Sequence, residues 1–312
     1  MSFFVSIIIP YYNRPLKLQR AINSIVDQTH SNFEIIIVDD HSKEQLYFKE
    51  EYIFYIRNSK NIGPGGSRNI GLKKAKGEYV VFMDSDDYWD NNFLKTCLTV
   101  FQKSDKKTVM VYTNTLGFNE HKICGNKRYQ VIRDTKILPT ILQRGRPWET
   151  SACMWDFKKI KYFLWIEARN WEDYAFDVAV AVKFNNIVPI NENLVYYDEC
   201  GDDKLSFQDE AKISIEKSKS INYISETLIT SKHYKNKIIK KKIVLLLLNN
   251  IIALIHTGKQ KKEYINENIK NLKTWESVYF VTLIKITTFV NVKIGLPLLR
   301  RIRNNMQKMN TT

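Results

Sequence analysis

Apolar runs separated by helix-length segments constrain this chain more than any other feature. FFVSIIIP (3–10), FEIIIVDD (33–40), the short IFYIR (53–57) and EYVVFMD (78–84) each read as a buried strand, because a strand covered on both faces is continuously apolar rather than alternating. TVMVY (108–112) extends the series. Between the first two runs, Leu18, Ala21, Ile22, Ile25 and Val26 recur with helical spacing, and Pro15 suits the first turn of that helix. Phe93, Leu94, Cys97, Leu98 and Phe101 mark another helix. The alternation predicts an α/β fold, a mostly parallel sheet with helices on both faces. Such sheets bind ligands beyond the carboxyl ends of their strands. Polar residues follow three of these ends: Tyr12 and Asn13, then Asp39 and Asp40, then Asp84 and Asp86. Their convergence on one edge predicts a site there.

The stretch YVVFMDSDDYW (79–89) raises an electrostatic question, since Asp84, Asp86 and Asp87 crowd the end of a buried strand. Close carboxylates repel, so a cation, a set of donors or water must hold them. Asp-Ser-Asp in extended chain sets two carboxylates on one side. A divalent ion between them, with a diphosphate opposite, would turn the repulsion into binding energy. The competing reading is an acidic turn capping the helix that begins near Asp90. NIGPGGSRNIG (61–71) lacks the third glycine of a dinucleotide fingerprint and the Gly-Lys-Ser/Thr of a P-loop. It reads as a flexible turn into a helix carrying Arg68, which could reach a phosphate or the acids. Gly65, Gly66 and Gly71 allow close approach there. Asp39-Asp40 fits either a base or ribose acceptor or a helix cap. Glu172 and Asp173, after Trp171, fit either a helix start or, if the chain folds back, a general base.

Taken together, VSIIIPYYNR, EIIIVDDHS, NIGPGGSRNIGLKKAKGEYVVFMDSDD and the later WED resemble the family 2 glycosyltransferases of GT-A, Rossmann-like fold. The resemblance is dense over residues 3–90 and loose over 145–210. It implies that Pro10, Tyr12 and Asp39 cradle the nucleobase of a nucleotide-sugar donor, and that Arg68 contacts the diphosphate or positions the acids. It assigns Asp84 and Asp86 to the ribose and to Mg²⁺ or Mn²⁺, with Asp86 favoured as the direct ligand. Asp173 matches the family's general base, Glu172 its neighbour in the acceptor site, and Trp148 the region lining the acceptor pocket. Asn13 and Asp40 join the donor-side candidates. The implied activity is inverting, metal-dependent transfer to a glycan or lipid-linked acceptor in bacterial surface polysaccharide synthesis. One departure stands out: VYYDECGDDKLS (195–206) lacks the Arg and His of many relatives, leaving Tyr197, Asp202 and Lys204 as candidate substitutes. The rival readings are a sugar nucleotidyltransferase, whose Gly-rich loop after the first strand is missing, and a catalytically silent nucleotide-sugar or membrane-binding module.

The remaining features set the context. A net charge of +15 favours polyanionic partners, although the chain is rich in Lys throughout. Cys97, Cys124, Cys153 and Cys200 form no C-x-x-C pair, which argues against a zinc site or disulfide framework and for reduced thiols. MSFFVSIIIPYYNR has no basic n-region or cleavage site, so it reads as a strand rather than a signal peptide. The expected organisation is a catalytic domain over residues 1–210, with a nucleotide-sugar half (1–115) and an acceptor half (116–210), then a basic helical extension (211–312). In that extension LLLLNNIIALI is too short to span a bilayer, and Lys285, Asn291, Lys293 and Pro297 argue against a span over 278–299. No motif for nucleic acid is present. The tail reads as peripheral attachment to the anionic inner face of the plasma membrane, in a cytoplasmic protein, or as packing helices alone.

Overall fold

The structure, a computed structural model, describes residues 3–119, 122–129, 135–198, 210–256, 262–271, 297, 299–301 and 303–305. The chain divides into two compact units, Met1–Glu167 with Glu172–Asp203, and Ala168–Trp171 with Lys204–Thr312.

In the first unit the apolar runs form the expected parallel core. Strands β1 (Val5–Tyr11), β2 (Phe33–Asp39), β3 (Ile53–Arg57) and β4 (Tyr79–Phe82) lie in the order β3-β2-β1-β4, all pairs parallel. Ile7, Ile8 and Ile9 are fully buried in succession, which is why the run does not alternate. Ile7, Ile9, Ile35 and Ile37 share one core cluster with Leu18, Ile22 and Ile25 of helix α1 (Pro15–Val26) and with Phe93, Leu94 and Cys97 of α3 (Phe93–Lys103). Ile8 faces the other way, onto α2 (Gly63–Lys74). Both faces are therefore covered.

Past β4 the sheet becomes mixed. β8 (Cys153–Asp156) pairs antiparallel with β4 and with β6 (Thr108–Asn119), and β6 runs parallel to β9 (Asn186–Asp198). Short β5 (Tyr88–Trp89) and β7 (Lys122–Tyr129) add antiparallel edges. The segment RGRPWETSACMW follows α4 (Thr140–Arg144), passes a 3-10 turn at Thr150–Ala152 and enters β8. Helix α5 (Phe157–Ile160) and helix α6 (Glu172–Ala181) complete this unit. Cys97 and Cys153 are buried free thiols. The side chain of Cys124, and all of Cys200, Asp202 and Lys204, lie outside the described residues, as does most of the 278–308 stretch.

The second unit is helical: α7 (Glu210–Ile229), α8 (Lys237–His256) and α9 (Lys262–Asn271) pack on one another. Ile221, Ile224, Leu228, Leu247, Leu248 and Ile251 are buried, and Asn250, Asn268 and Ser218 share a buried hydrogen-bonded cluster. Trp171, in this unit, has Lys217 Nζ 3.9 Å above its ring. No helix of the described residues is long and apolar enough to cross a membrane.

The glycine-rich stretch differs from its expectation. From Gly63 to Gly71 it already belongs to α2, and only Asn61 and Ile62 precede the helix. Gly65 is needed because a Cβ there would meet the Ile166 carbonyl oxygen at 2.3 Å. That approach is fixed by Asn69, whose side chain donates to the Trp165 carbonyl and accepts from its amide, both at 2.8 Å. Gly65→Ala is expected to cost about 1–3 kcal/mol, the usual range for overpacking, read as a lower urea midpoint; an unchanged midpoint would contradict this packing.

Candidate active site

The question posed by the crowded carboxylates has a direct answer in the first unit: donors hold them. Asp84 Oδ1 accepts from Arg68 Nη2 at 2.6 Å, and Asp86 Oδ2 from Arg14 Nη1 at 2.8 Å. Asp87 Oδ2 accepts from the Ser151 hydroxyl at 2.6 Å, while the same hydroxyl accepts from the Asp84 amide at 2.9 Å. Arg20 Nη2 donates to the Asp86 carbonyl at 2.6 Å and to Asp198 Oδ2 at 3.1 Å. Proximity of the three acids therefore does not by itself require a metal ion. The balance is still incomplete. Burial, then Asp84, raises Asp86 above the usual carboxylate range against the pull of Arg14. Burial, then Asp86 and Asp84, raises Asp87 well above it, and Asp87 Oδ1 is buried without a partner.

Arg68 joins this cluster to α6. Arg68 is 3% exposed, and its guanidinium lies 4.4 Å over the Trp165 ring and reaches Glu172 Oε1 at 3.1 Å as well as Asp84. Burial pushes Glu172 up to about 7, Asp173 adding to the rise and Arg68 opposing it. Asp173 differs from its neighbour. Its side chain is 29% exposed against 11% for Glu172, and Arg146 Nη1 holds its Oδ2 at 3.0 Å. Arg146 also donates through Nε to Asp177 Oδ2 at 2.8 Å. Gly145, with φ of 81°, turns the chain out of α4 just before Arg146, a conformation suited to glycine. Trp148 is 1% exposed, packed on Tyr112, and donates to Asp177 from Nε1 at 2.7 Å. The Trp148 ring therefore fills the interior between Tyr112 and Asp177.

At the ends of β1 and β2 the candidates separate by role. Tyr12 is 47% exposed and Pro10 half-buried. Asn13, at φ 53°, donates its amide to Ser42 Oγ and accepts from the Lys43 amide through Oδ1, tying the two strand ends together. Asp39 is fully buried, accepting from the Ser42 amide and the Tyr55 hydroxyl with Arg57 Nε at 3.8 Å. Asp40 accepts from the Ile62 and Gly63 amides, each at 2.8 Å, and from Asn58 at 3.0 Å. This is the capping geometry of an anion at a helix start. Tyr197 is half-buried on β9.

Arg14, Arg20, Ser151, Arg146 and Asp177 were not singled out from the sequence. Arg14 was within reach, since it closes the YYNR that follows β1. The others carry no local pattern.

Among the described residues no group of three or more His, Cys, Asp or Glu is arranged to hold a metal. The donor set nevertheless suits a hard cation bound together with a ligand. Asp84 and Asp86 each spend only one oxygen on an arginine, and the orphaned Asp87 oxygen lies in the same loop. Carboxylates with open positions are what Mg²⁺ uses beside phosphates.

The Glu172 shift has a thermodynamic consequence. A folded pKa raised from 4.5 to about 7 means the stability this group lends is complete below pH 4.5 and lost as pH rises through 7. The loss can reach roughly 3 kcal/mol. Glu172→Gln should flatten the fall in stability between pH 4.5 and 7.5, measured by urea denaturation; an unchanged slope would contradict the buried, proton-retaining carboxyl.

Residues 6–158 match the family described as glycosyl transferase family 2. An uncharacterized glycosyltransferase of Nostoc sp. is 32% identical over 62% of this chain and 64% of its own length. One from Haemophilus influenzae is 30% identical over 55% of this chain and 69% of its own. The UDP-Glc:alpha-D-GlcNAc-diphosphoundecaprenol beta-1,3-glucosyltransferase WfgD of Escherichia coli is 33% identical over 40% of this chain and 50% of its own. The chain thus spans less than two thirds of the Nostoc protein and half of WfgD. S. aureus TarS 1-349 in complex with UDP-GlcNAc superposes with TM-score 0.62 at 17% identity, covering 91% of this chain and 90% of that one. The mannosyltransferase PcManGT of Pyrobaculum calidifontis, in complex with GDP-Man and Mn2+, gives 0.54 at 12% identity, covering 97% and 84%. These structures share the fold. With the parallel core, the acid-bearing strand ends and these matches in place, the chain belongs to glycosyltransferase family 2 and has the GT-A fold.

Proposed function

We propose that this chain is an inverting glycosyltransferase, moving a sugar from a nucleotide-sugar donor to an acceptor hydroxyl. The observation that carries the reading is Arg68 spanning Asp84 and Glu172. It links a loop of acids suited to a diphosphate-bound cation with a helix start that offers a base. On the donor side, Pro10, Tyr12 and Asp39 take the nucleobase, and Asp84 reaches the ribose. Asn13 and Asp40 support that edge, Asn13 by tying the strand ends and Asp40 by fixing the start of α2. Arg14 and Arg68, now paired with carboxylates, are donors that a diphosphate can recruit in charge-assisted bonds.

Asp86, with Asp84, would hold Mg²⁺ or Mn²⁺, which neutralises charge developing on the leaving diphosphate. On the acceptor side the base is Asp173. Glu172 is buried against Arg68, whereas Asp173 is the more exposed of the two. Asp173 takes the proton of the acceptor hydroxyl as its oxygen bonds the anomeric carbon and the bond to the diphosphate breaks. One displacement inverts the centre, and the base contributes about 10²–10⁴-fold. Unlike a glycosidase, the site needs no acid for its leaving group.

A lipid-linked glycan is the acceptor we favour, in bacterial surface polysaccharide synthesis, because WfgD carries a diphosphoundecaprenol-linked acceptor in its name. The second unit supports work at a membrane surface. Lys232, Lys235, Lys237, Lys240, Lys241 and Lys242 fall in a stretch with no acid, and Ile238 there is 45% exposed. The first turn of α8 holds no acidic residue, so these cations face the positive end of a helix dipole and gain from an external anion.

Two experiments test the reading. With a panel of UDP-, GDP- and dTDP-sugars, Asp173→Asn should keep donor affinity while transfer falls at least about 10²-fold; normal transfer would remove the base assignment. In vesicle co-sedimentation, the chain should bind phosphatidylglycerol-containing vesicles more than phosphatidylcholine alone, and Lys240→Glu with Lys241→Glu and Lys242→Glu should weaken that binding. Equal binding to both would contradict the membrane reading.

A further inference from the structure

Asp173 is not held alone. Arg146 Nη1 reaches its Oδ2 at 3.0 Å, and Arg146 Nε reaches Asp177 Oδ2 at 2.8 Å. Asp177 sits one helical turn beyond Asp173 on α6, fully buried, and its Oδ2 also accepts from Trp148 Nε1 at 2.7 Å. Arg146 Nη1 donates in addition to the Trp148 carbonyl at 2.9 Å. Arg146 is only 9% exposed in its side chain, and Asp177 Oδ1 is buried with no partner. Such an assembly is a poor device for stability alone, because apolar replacements of buried ion pairs are often neutral or better.

Resting on the assignment of Asp173 as base, we propose that Arg146 and Asp177 are positioning residues for it, forming an alternating line of carboxylate, guanidinium and carboxylate that keeps Asp173 aimed to accept a proton. The chemistry depends on the second acid. When Asp173 takes the acceptor proton its charge disappears, and a buried Arg146 facing only Asp173 would become an uncompensated cation. Asp177 stays bonded to Arg146 Nε and Trp148 Nε1, which oppose the rise that burial imposes on its carboxyl, so Arg146 keeps a partner through the transfer. The proton goes from the acceptor oxygen to a carboxylate oxygen of Asp173, and Arg146 keeps all of its own.

Among the described residues, the groups facing Asp173 come from three segments. Arg146 comes from the segment after α4, and Arg68 from α2 acts on it through charge. Glu172, Tyr174 and Asp177 belong to its own helix. Tyr174 is neutral, its hydroxyl donating to the Ile141 carbonyl at 2.6 Å.

The test is kcat against pH at saturating donor, with donor KM measured alongside. Asp177→Asn leaves Asp173 as the sole counter-ion of Arg146, so the acidic fall-off of kcat should move to lower pH, with kcat at neutral pH down on the order of tenfold. Arg146→Met should move the fall-off to higher pH. Donor KM should stay within about twofold in both, since neither touches the donor side. Shifts in the same direction, or unmoved profiles in folded variants, would overturn the proposal. Arg146→Lys covers the case where either variant fails to fold: it should keep donor KM and lose roughly tenfold in kcat, and a wild-type kcat would overturn the proposal. Asp173→Asn in the same series separates the two claims. If it transfers normally, the base itself is misassigned; if it is inactive while the other profiles stay put, only the positioning role fails.

Discussion

The structure of this site depends on one guanidinium. Arg68, nearly dry against the face of Trp165, ties Asp84 at the end of β4 to Glu172 at the start of α6. Arg68 and Glu172, 104 residues apart in the chain, are thereby fixed at hydrogen-bond distance. Removing one partner of such a buried set typically costs about 3–5 kcal/mol, so each member constrains the others. Gly65 of α2 lets the Trp165 segment come close enough to cover Arg68. A donor diphosphate entering here would compete for the same cation. The free chain holds its acids with Arg14, Arg68 and Ser151, so ligand binding would be an exchange of partners rather than the filling of a bare anionic hole.

Much of this was legible in the sequence, for a definite reason. β1, β2, β3 and β4 are covered on both faces, and that condition writes continuous apolar runs. The mixed half of the sheet was less legible. β8 is four residues long, β5 only two, and β9 carries Pro189 and a polar NEN within its span. No periodic signal survives such short or interrupted strands. The adjacent acids Asp39 and Asp40 make the same point at the scale of a residue. Sequence leaves both as ligand or cap, and successive side chains on a strand point opposite ways. In the fold Asp40 caps α2, while Asp39 is held by Tyr55 and Ser42.

Arg146 and Asp177 show what sequence does not carry. A lone arginine in a loop has no pattern, and Asp177 within the apolar face of α6 looks like an interruption. Their meaning appears only when α6 and the loop after α4 meet. The concentration of charge around Asp84, Glu172, Asp173 and Asp177 contrasts with the apolar core a few residues away. Local rules for stability are broken here in the way expected where a protein acts on a ligand.

The central claim is that the acids after β4 exchange their arginine partners for a cation carrying a diphosphate. Crystals soaked with Mn²⁺ and a nucleotide sugar, examined at the manganese absorption edge, test it most directly. The account predicts an anomalous peak within coordination distance of Asp86, with Arg14 released from that carboxylate. A nucleotide sugar bound with no peak there, and Asp86 still paired with Arg14, would contradict it.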